Sequence, residues 1–306
     1  METYMMVDSS ALSFGNVGIA GVMLVINVAV SVWLNLGLTR GLIVASIRCV
    51  VQLTLLSMVL NRVFMTQSPV YIFGLALGMG VLASVEVTFW RAKNRFPRML
   101  LGTFLSLIVS VLAVALFGNV YSLGMSPAYT AEKFIPTVGM LFGNCVIGVS
   151  IGMSAVMDAL ETHRDRIEVM MCYGASRWEL IRLVAVDAMK AAMLPSITNM
   201  SITGLISIPG MMTGWVLSGG NVLDAAHYQQ IIFFMLTASS AISALLCVGF
   251  CASVLIDKTP VLRLNRITTV NGKADKKRPQ PMVSRNSTRT RLVSTFASRT
   301  MLRRRP

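Results

Sequence analysis

Charged residues are scarce in this chain. Asp, Glu, Lys and Arg make up 13% of its 306 residues, against 55% hydrophobic, where a water-soluble domain carries roughly 25% charged. The deficit excludes a surface covered by water on all sides and points to a polytopic membrane protein. Lys and Arg are missing altogether from the first 39 residues. A secretory signal needs a positive start, so the first apolar run is expected to be a retained span. The GxxxxGK[ST] phosphate loop is also missing, so the chain is not expected to supply an ATP site of its own. Histidine is limited to two residues. No His, Cys, Asp or Glu group has metal-site spacing, so no metal ligand set is expected. No nucleophile stands with a base partner, which disfavours an intramembrane enzyme. The five cysteines are Cys49, Cys145, Cys172, Cys247 and Cys251. None falls in a segment expected outside the membrane on the topology below, which disfavours a disulfide framework. Cys247 and Cys251 are spaced to share one helix face, where packing outweighs metal ligation.

What is present is a net charge of +14, and its location decides its meaning. From Asp257 onward there are 14 Lys/Arg against 2 Asp/Glu, a net of +12, and the preceding 256 residues carry only +2. The basicity belongs to a tail, residues 257–306, which is polar, Ser/Thr-rich and expected to be disordered. It can lie against anionic lipid. Nothing in it makes a nucleic-acid recognition surface, so no nucleic-acid partner is expected.

A spanning helix needs about 20 apolar residues. After a short external segment, residues 1–13, the apolar runs are Phe14 to Leu38, Gly41 to Leu60, Pro69 to Trp90, Met99 to Gly118, Phe134 to Val156, Ala191 to Leu217 and Gln229 to Ile256. The sixth is interrupted by Pro209-Gly210. The expectation is an all-α membrane-spanning domain over 14–256 with about seven transmembrane helices and a charged loop at 157–190. With the amino terminus outside and the carboxyl terminus cytoplasmic, 24 of the 27 Lys/Arg fall inside and only Arg62 and Lys133 outside. That bias is the one the positive-inside rule demands.

Small residues recur at helix-packing spacing: Gly74 and Gly78, Gly139 and Gly143, Gly148 and Gly152, Gly210 and Gly214. Such pairs let helices approach closely in lipid, within one chain or between two copies. Ionisable residues inside a span are costly and mark functional sites. Arg48 in the second run and Glu86 in the third lie at comparable depths from the cytoplasmic face and can pair. A structural ion pair and a gate or solute contact both remain open. Gln52, Asn144 and Asn199 fall near mid-membrane, where they can bond one another or line a polar path. Pro209 and Gly210 break a span, and broken helices line cavities. Met211 and Met212 follow, as soft ligands or as filler packing.

Several stretches resemble a known family. Glu168-Val169-Met170, three residues, then Gly174 has the spacing of the EAA loop of ABC-transporter permeases. The family's alanines are Val169 and Met170 here, and its later Ile-x-Leu-Pro falls on Val184-Ala185-Val186-Asp187, without the proline. Arg48-Cys49-Val50-Val51-Gln52-Leu53, Gly139-Met140-Leu141-Phe142-Gly143-Asn144, Gly174-Ala175-Ser176, Leu194-Pro195-Ser196-Ile197, Ile208-Pro209-Gly210-Met211-Met212-Thr213-Gly214 and Ala226-His227-Tyr228-Gln229 extend the likeness. From Gly15 to Ile256 the chain resembles the FetB-type ABC permeases, the bacterial iron-export membrane subunits whose plant relatives act in aluminium tolerance. The resemblance implies a permease that moves a small solute, with iron or another metal ion as candidate cargo. It implies a separate ATPase subunit that holds ATP and Mg, and a second permease copy as partner. It implies that Glu168, Gly174, Ala175 and Ser176 form a cytoplasmic coupling loop, a short helix, a turn and a second helix that dock on the ATPase. The competing readings are an ion-coupled secondary transporter using Arg48 and Glu86, and a membrane scaffold or receptor.

Overall fold

The computed structural model describes residues 14–66, 68–92, 94–124, 130–255 and 268–269. Nine α-helices are seen among them. The helices are α1 (Phe14–Trp33), α2 (Thr39–Thr66), α3 (Pro69–Val85), α4 (Met99–Phe117), α5 (Ala131–Thr162), α6 (Arg164–Cys172), α7 (Arg177–Ile202), α8 (Gly210–Leu217) and α9 (Val222–Leu255). Two carry π-helical extensions: Glu86–Arg91 follows α3 and Gly118–Ser122 follows α4. The remaining regular element is a two-residue antiparallel pair, β1 (Asn94–Arg95) against β2 (Thr268–Thr269). The rest of the tail expected from 257 to 306, and the segment 1–13, lie outside the described residues.

Local chemistry sets the helix ends. Pro69 opens α3 after Ser68 in extended conformation, a first-turn position where its missing N–H costs nothing. The α1–α2 connection turns on Asn35 and Gly37, both at positive φ, and Thr39 Oγ1 donates to Ser31 Oγ across it at 3.2 Å. Ser176 caps α7, accepting from the Glu179 backbone while the Glu179 carboxylate accepts from the Ser176 N–H. That reciprocal capping box satisfies two of the end donors a helix leaves free.

The core is formed by α5 and α9 with α3, α4 and α7 around them. Leu141, Val149, Val156 and Leu160 of α5 meet Ile232, Cys247, Val248 and Cys251 of α9 in it, all buried. Gly148 and Gly152 let α7 and α9 come close to α5. A Cβ on Gly148 would stand 2.8 Å from Ser240 Oγ and 3.1 Å from the Ala192 carbonyl, and one on Gly152 would stand 3.1 Å from Ala192 Cβ. This small-residue pair therefore serves packing inside one chain. Gly74, Gly78, Gly143, Gly210 and Gly214 face open space. Helices α1 and α2 stand almost wholly exposed beside the core, with Ile19, Met23, Ile26, Leu53 and Met58 uncovered. Only an apolar surrounding suits such surfaces.

Among the described residues, six helices are long and apolar enough to cross a bilayer: Gly15–Trp33, Thr39–Phe64, Pro69–Arg91, Met99–Ser122, Ala131–Thr162 and Val222–Leu255. The sixth apolar run of the sequence, Ala191 to Leu217, is not among them. Helix α7 stops at Ile202, Gly204 takes φ +99°, and α8 begins at Gly210. The expected interruption is thus present but seven residues long, 203 to 209, and Pro209-Gly210 marks its end. Thr203 is extended and bridges to Ser207, and Pro209 caps α8 instead of breaking a helix. Helix α5 also continues past the expected end at Val156, to Thr162.

Candidate functional site

The polar residues of the second and third apolar runs meet. Arg48 Nη2 donates to Glu86 Oε2 at 2.7 Å, with the two side chains 33% and 29% exposed. The Arg48 guanidinium lies 4.3 Å from the centre of the Trp90 ring. Arg91 Nε stands 3.9 Å from the other Glu86 oxygen. Glu86, Trp90 and Arg91 all come from one π-helical segment. Such a turn adds a residue to the helical ring and re-aims side chains, which is why it recurs at functional sites. Arg95 ties this turn down, donating from Nε to the Thr88 carbonyl and from Nη2 to the Phe89 carbonyl, each at 3.0 Å.

Beside this turn lies an open cleft of about 440 Å³, lined by Arg91, Ser150, Ile151, Ser154, Ala155 and Asp158. Ser150, Ser154 and Asp158 follow at four-residue intervals on α5, so they share one stripe. The sequence reading missed Arg91, Ser150, Ser154 and Asp158. It assigned Asp158 to the charged loop because it ended the span at Val156. The four-residue spacing back to Ser150 was the available signal.

The three mid-membrane amides do not bond one another. Asn144 Nδ2 donates to its own helix at the Met140 carbonyl, 3.1 Å away. Gln52 and Asn199 are exposed on α2 and α7. The helical phase of each residue, which depth alone does not give, turns them apart. Met211 and Met212 are half-buried on α8, and Pro209 and Gly210 start that helix. Among the described residues, no three His, Cys, Asp or Glu side chains gather in a way that could hold a metal ion.

At the far end of α5 the chain turns through α6 into α7. Ile167 of α6 and Leu180, Ile181 and Val184 of α7 are buried and fix both helices to the core. Between them Gly174 sits at φ +84°, with nothing within 4 Å of the place a Cβ would take. Its N–H bonds the Met171 carbonyl at 3.1 Å, and the Ala175 N–H bonds the Met170 carbonyl at 3.0 Å. Two local hydrogen bonds thus close the end of α6 around a left-handed residue, the geometry glycine takes most readily. Ser176 then caps α7, and the Ser176 N–H holds the Glu179 carboxyl below its ordinary pKa. Glu168 is engaged by Arg164 at 2.7 Å on the same helix. What this frame presents is aromatic: Tyr173 is 89% and Trp178 77% exposed. Sequence reasoning singled out the frame residues Gly174, Ala175 and Ser176 and missed the two rings beside them.

A bundle of long apolar helices with an uncovered apolar exterior defines an integral, multi-pass α-helical membrane protein. The chain belongs to the uncharacterised protein family UPF0014, whose model matches residues 14–256. It is 29% identical over 212 residues to the UPF0014 membrane protein YjkA of Bacillus subtilis, covering 69% of this chain and 82% of that one. It is 22% identical over 239 residues to the "Probable iron export permease protein FetB" of Escherichia coli, covering 78% and 90%. It is 27% identical over 226 residues to the UPF0014 membrane protein STAR2 of rice, covering 73% and 77%. No solved structure matches the chain.

Proposed function

We propose that this chain is the membrane permease subunit of an ABC transporter, driven by an ATPase on a separate chain and working as two permease copies. The observation that carries the reading is the α6–α7 corner. It is a short helix, a glycine-closed turn and a capped second helix, rigidly joined to the core and projecting Tyr173 and Trp178. Exposed rings on a fixed frame suit docking into a partner's groove. The name of FetB adds that a relative is a permease.

The reading needs an odd number of crossings, so that the corner and the basic tail both face the cytoplasm. Helices α7 and α8 supply the seventh as a discontinuous crossing. They run antiparallel to α9 along its length. Arg177 Nη2 donates to the Ser253 carbonyl, Ser196 Oγ meets Ser240 Oγ at 3.2 Å, Thr237 Oγ1 meets Met200 Sδ at 3.9 Å, and Trp215 stacks on Tyr228 at 5.5 Å. From Ser253 to Tyr228 the rise is about 37 Å at 1.5 Å per residue, enough to cross a hydrocarbon core of roughly 30 Å. Lipid and a second copy account for the bare faces of α1 and α2 and for the open glycines Gly74, Gly78, Gly210 and Gly214.

The cargo is a small solute. Iron is suggested by the name of FetB alone. Arg48 and Glu86 support a second reading, an ion-coupled secondary transporter, because an intramembrane pair can carry coupling. One experiment separates the two: co-expression with a candidate ATPase subunit, co-purification, and uptake into sealed vesicles with and without ATP. Retention of the ATPase and ATP-dependent transport are expected. Transport that needs only an ion gradient, with no ATPase retained, overturns the proposal.

A further inference from the structure

The cleft beside the π-helical turn holds two opposite charges that do not meet. Arg91 of the π-helical turn lines it together with Ser150, Ser154 and Asp158 of α5. Among the described residues, Asp158 forms no ion pair, and the one acid within ion-pair range of Arg91 is Glu86 at 3.9 Å. Glu86 is itself held by Arg48 at 2.7 Å. The Ser150 hydroxyl donates to the Val146 carbonyl at 2.6 Å, which leaves its oxygen to accept. The Ser154 hydroxyl makes no hydrogen bond among the described residues. The cleft thus offers one cation, one anion and two hydroxyls over a run of about 12 Å from Ser150 to Asp158 at 1.5 Å per residue. A volume near 440 Å³ falls within the roughly 300–1,000 Å³ of small-molecule sites.

We propose that this cleft is the solute's binding site at the coupling-loop end of the bundle, and that it takes a small zwitterion, with an anionic group at Arg91 and an ammonium group at Asp158. The chemistry excludes the alternatives one at a time. A dianion sets one charge against Asp158, and a dication sets one against Arg91. An apolar solute leaves both charges and a hydroxyl unanswered, at the cost of desolvating them. A bare divalent cation finds a single carboxylate, because the Arg48 guanidinium already occupies Glu86, and Arg91 repels it. A zwitterion answers both charges in the cleft. The proposal deepens the permease reading and rests on it for the word solute, but the binding itself needs no ATPase.

The test uses the full chain, solubilised in detergent, with four probes: aminohexanoate as zwitterion, adipate as dianion, hexanediamine as dication, and manganese(II). Titration calorimetry and thermal unfolding read the binding. Aminohexanoate is expected to bind saturably and raise Tm, with the other three at least tenfold weaker. Arg91→Gln and Asp158→Asn should each weaken aminohexanoate tenfold or more, and Asp158→Asn should let adipate bind. The charge-swapped double variant, Arg91→Asp with Asp158→Arg, should recover part of the aminohexanoate binding, which guards against loss through misfolding. Absence of saturable aminohexanoate binding, equal binding of adipate, hexanediamine or manganese(II), or variants that bind as the parent does would each overturn the proposal. Co-purification of the ATPase reports on the permease reading separately, so the two failures are told apart.

Discussion

Arg48 and Glu86 are joined at 2.7 Å, 38 positions apart in the chain, and that bond is a principal tie between the exposed helix α2 and the body of the bundle. Both groups sit in apolar runs long enough to cross a bilayer, so removing one leaves the other's charge short of a partner. Breaking a fully buried pair typically costs ~3–5 kcal/mol. With about a third of each side chain exposed, the expected cost of Arg48→Ala or Glu86→Ala is nearer ~1–3 kcal/mol. Arg91 can swing to Glu86 in the first variant, so Arg48→Ala should be the milder. The double variant should lose less than the two singles together. Thermal unfolding of the four proteins in one detergent closes the cycle, and strictly additive losses would remove the coupling.

That pair was legible in the sequence because each residue stands alone in an apolar run at a matching depth. The turn that presents Glu86 was not. A π-helical insertion leaves no mark in the residue pattern from Ser84 to Trp90 and is decided by packing. The cap at Ser176 and the glycine at Gly174 were also readable, because their local chemistry works without tertiary context. The seven-residue interruption after Ile202 was not. Leu205, Ile206 and Ile208 continue the apolar run, so hydropathy carries through the break. The separation of Gln52, Asn144 and Asn199 was hidden for another reason. Depth follows from counting residues, but the direction a side chain faces follows from how each helix rolls against its neighbours.

The rings at the corner give the second prediction. If Tyr173 and Trp178 fill pockets on an ATPase, truncating either removes an anchor. Anchors of this kind carry more than about 1 kcal/mol and commonly 2 or more. Tyr173→Ala and Trp178→Ala should each lower ATPase retention at least fivefold in co-purification while membrane insertion and Tm stay unchanged, because both side chains touch solvent rather than core. Unaltered retention in the double variant would move the docking surface elsewhere.

Topology gives the third. The 14 Lys/Arg from Lys258 onward should hold the carboxyl terminus in the cytoplasm. Asn286-Ser287-Thr288 is a glycosylation acceptor by sequence, and a cytoplasmic tail never meets the lumenal enzyme. In a eukaryotic host the chain should run identically on gels before and after glycosidase treatment. A mobility shift abolished by Asn286→Gln would place the tail outside and leave α7 and α8 on one side of the membrane.

Gly174 gives the fourth, and it separates backbone from surface. At φ +84° the residue is in the left-handed region, where a side chain costs roughly 1–2 kcal/mol. No atom lies within 4 Å of the place a Cβ would take, so the cost inside this chain is conformational and not steric. Asn tolerates that region better than Ala does. If the corner needs only its turn, Gly174→Asn should keep ATPase-dependent transport near the parent level, while Gly174→Ala loses part of it. If the partner's groove closes over the turn, the bare surface of Gly174 is itself the contact. Asn, Ala and Asp should then all abolish transport and ATPase retention together, with membrane insertion intact. The coupling reading requires one of these two patterns. A Gly174→Ala chain that inserts, transports and keeps its ATPase as the parent does fits neither pattern and would show that the corner only joins two helices.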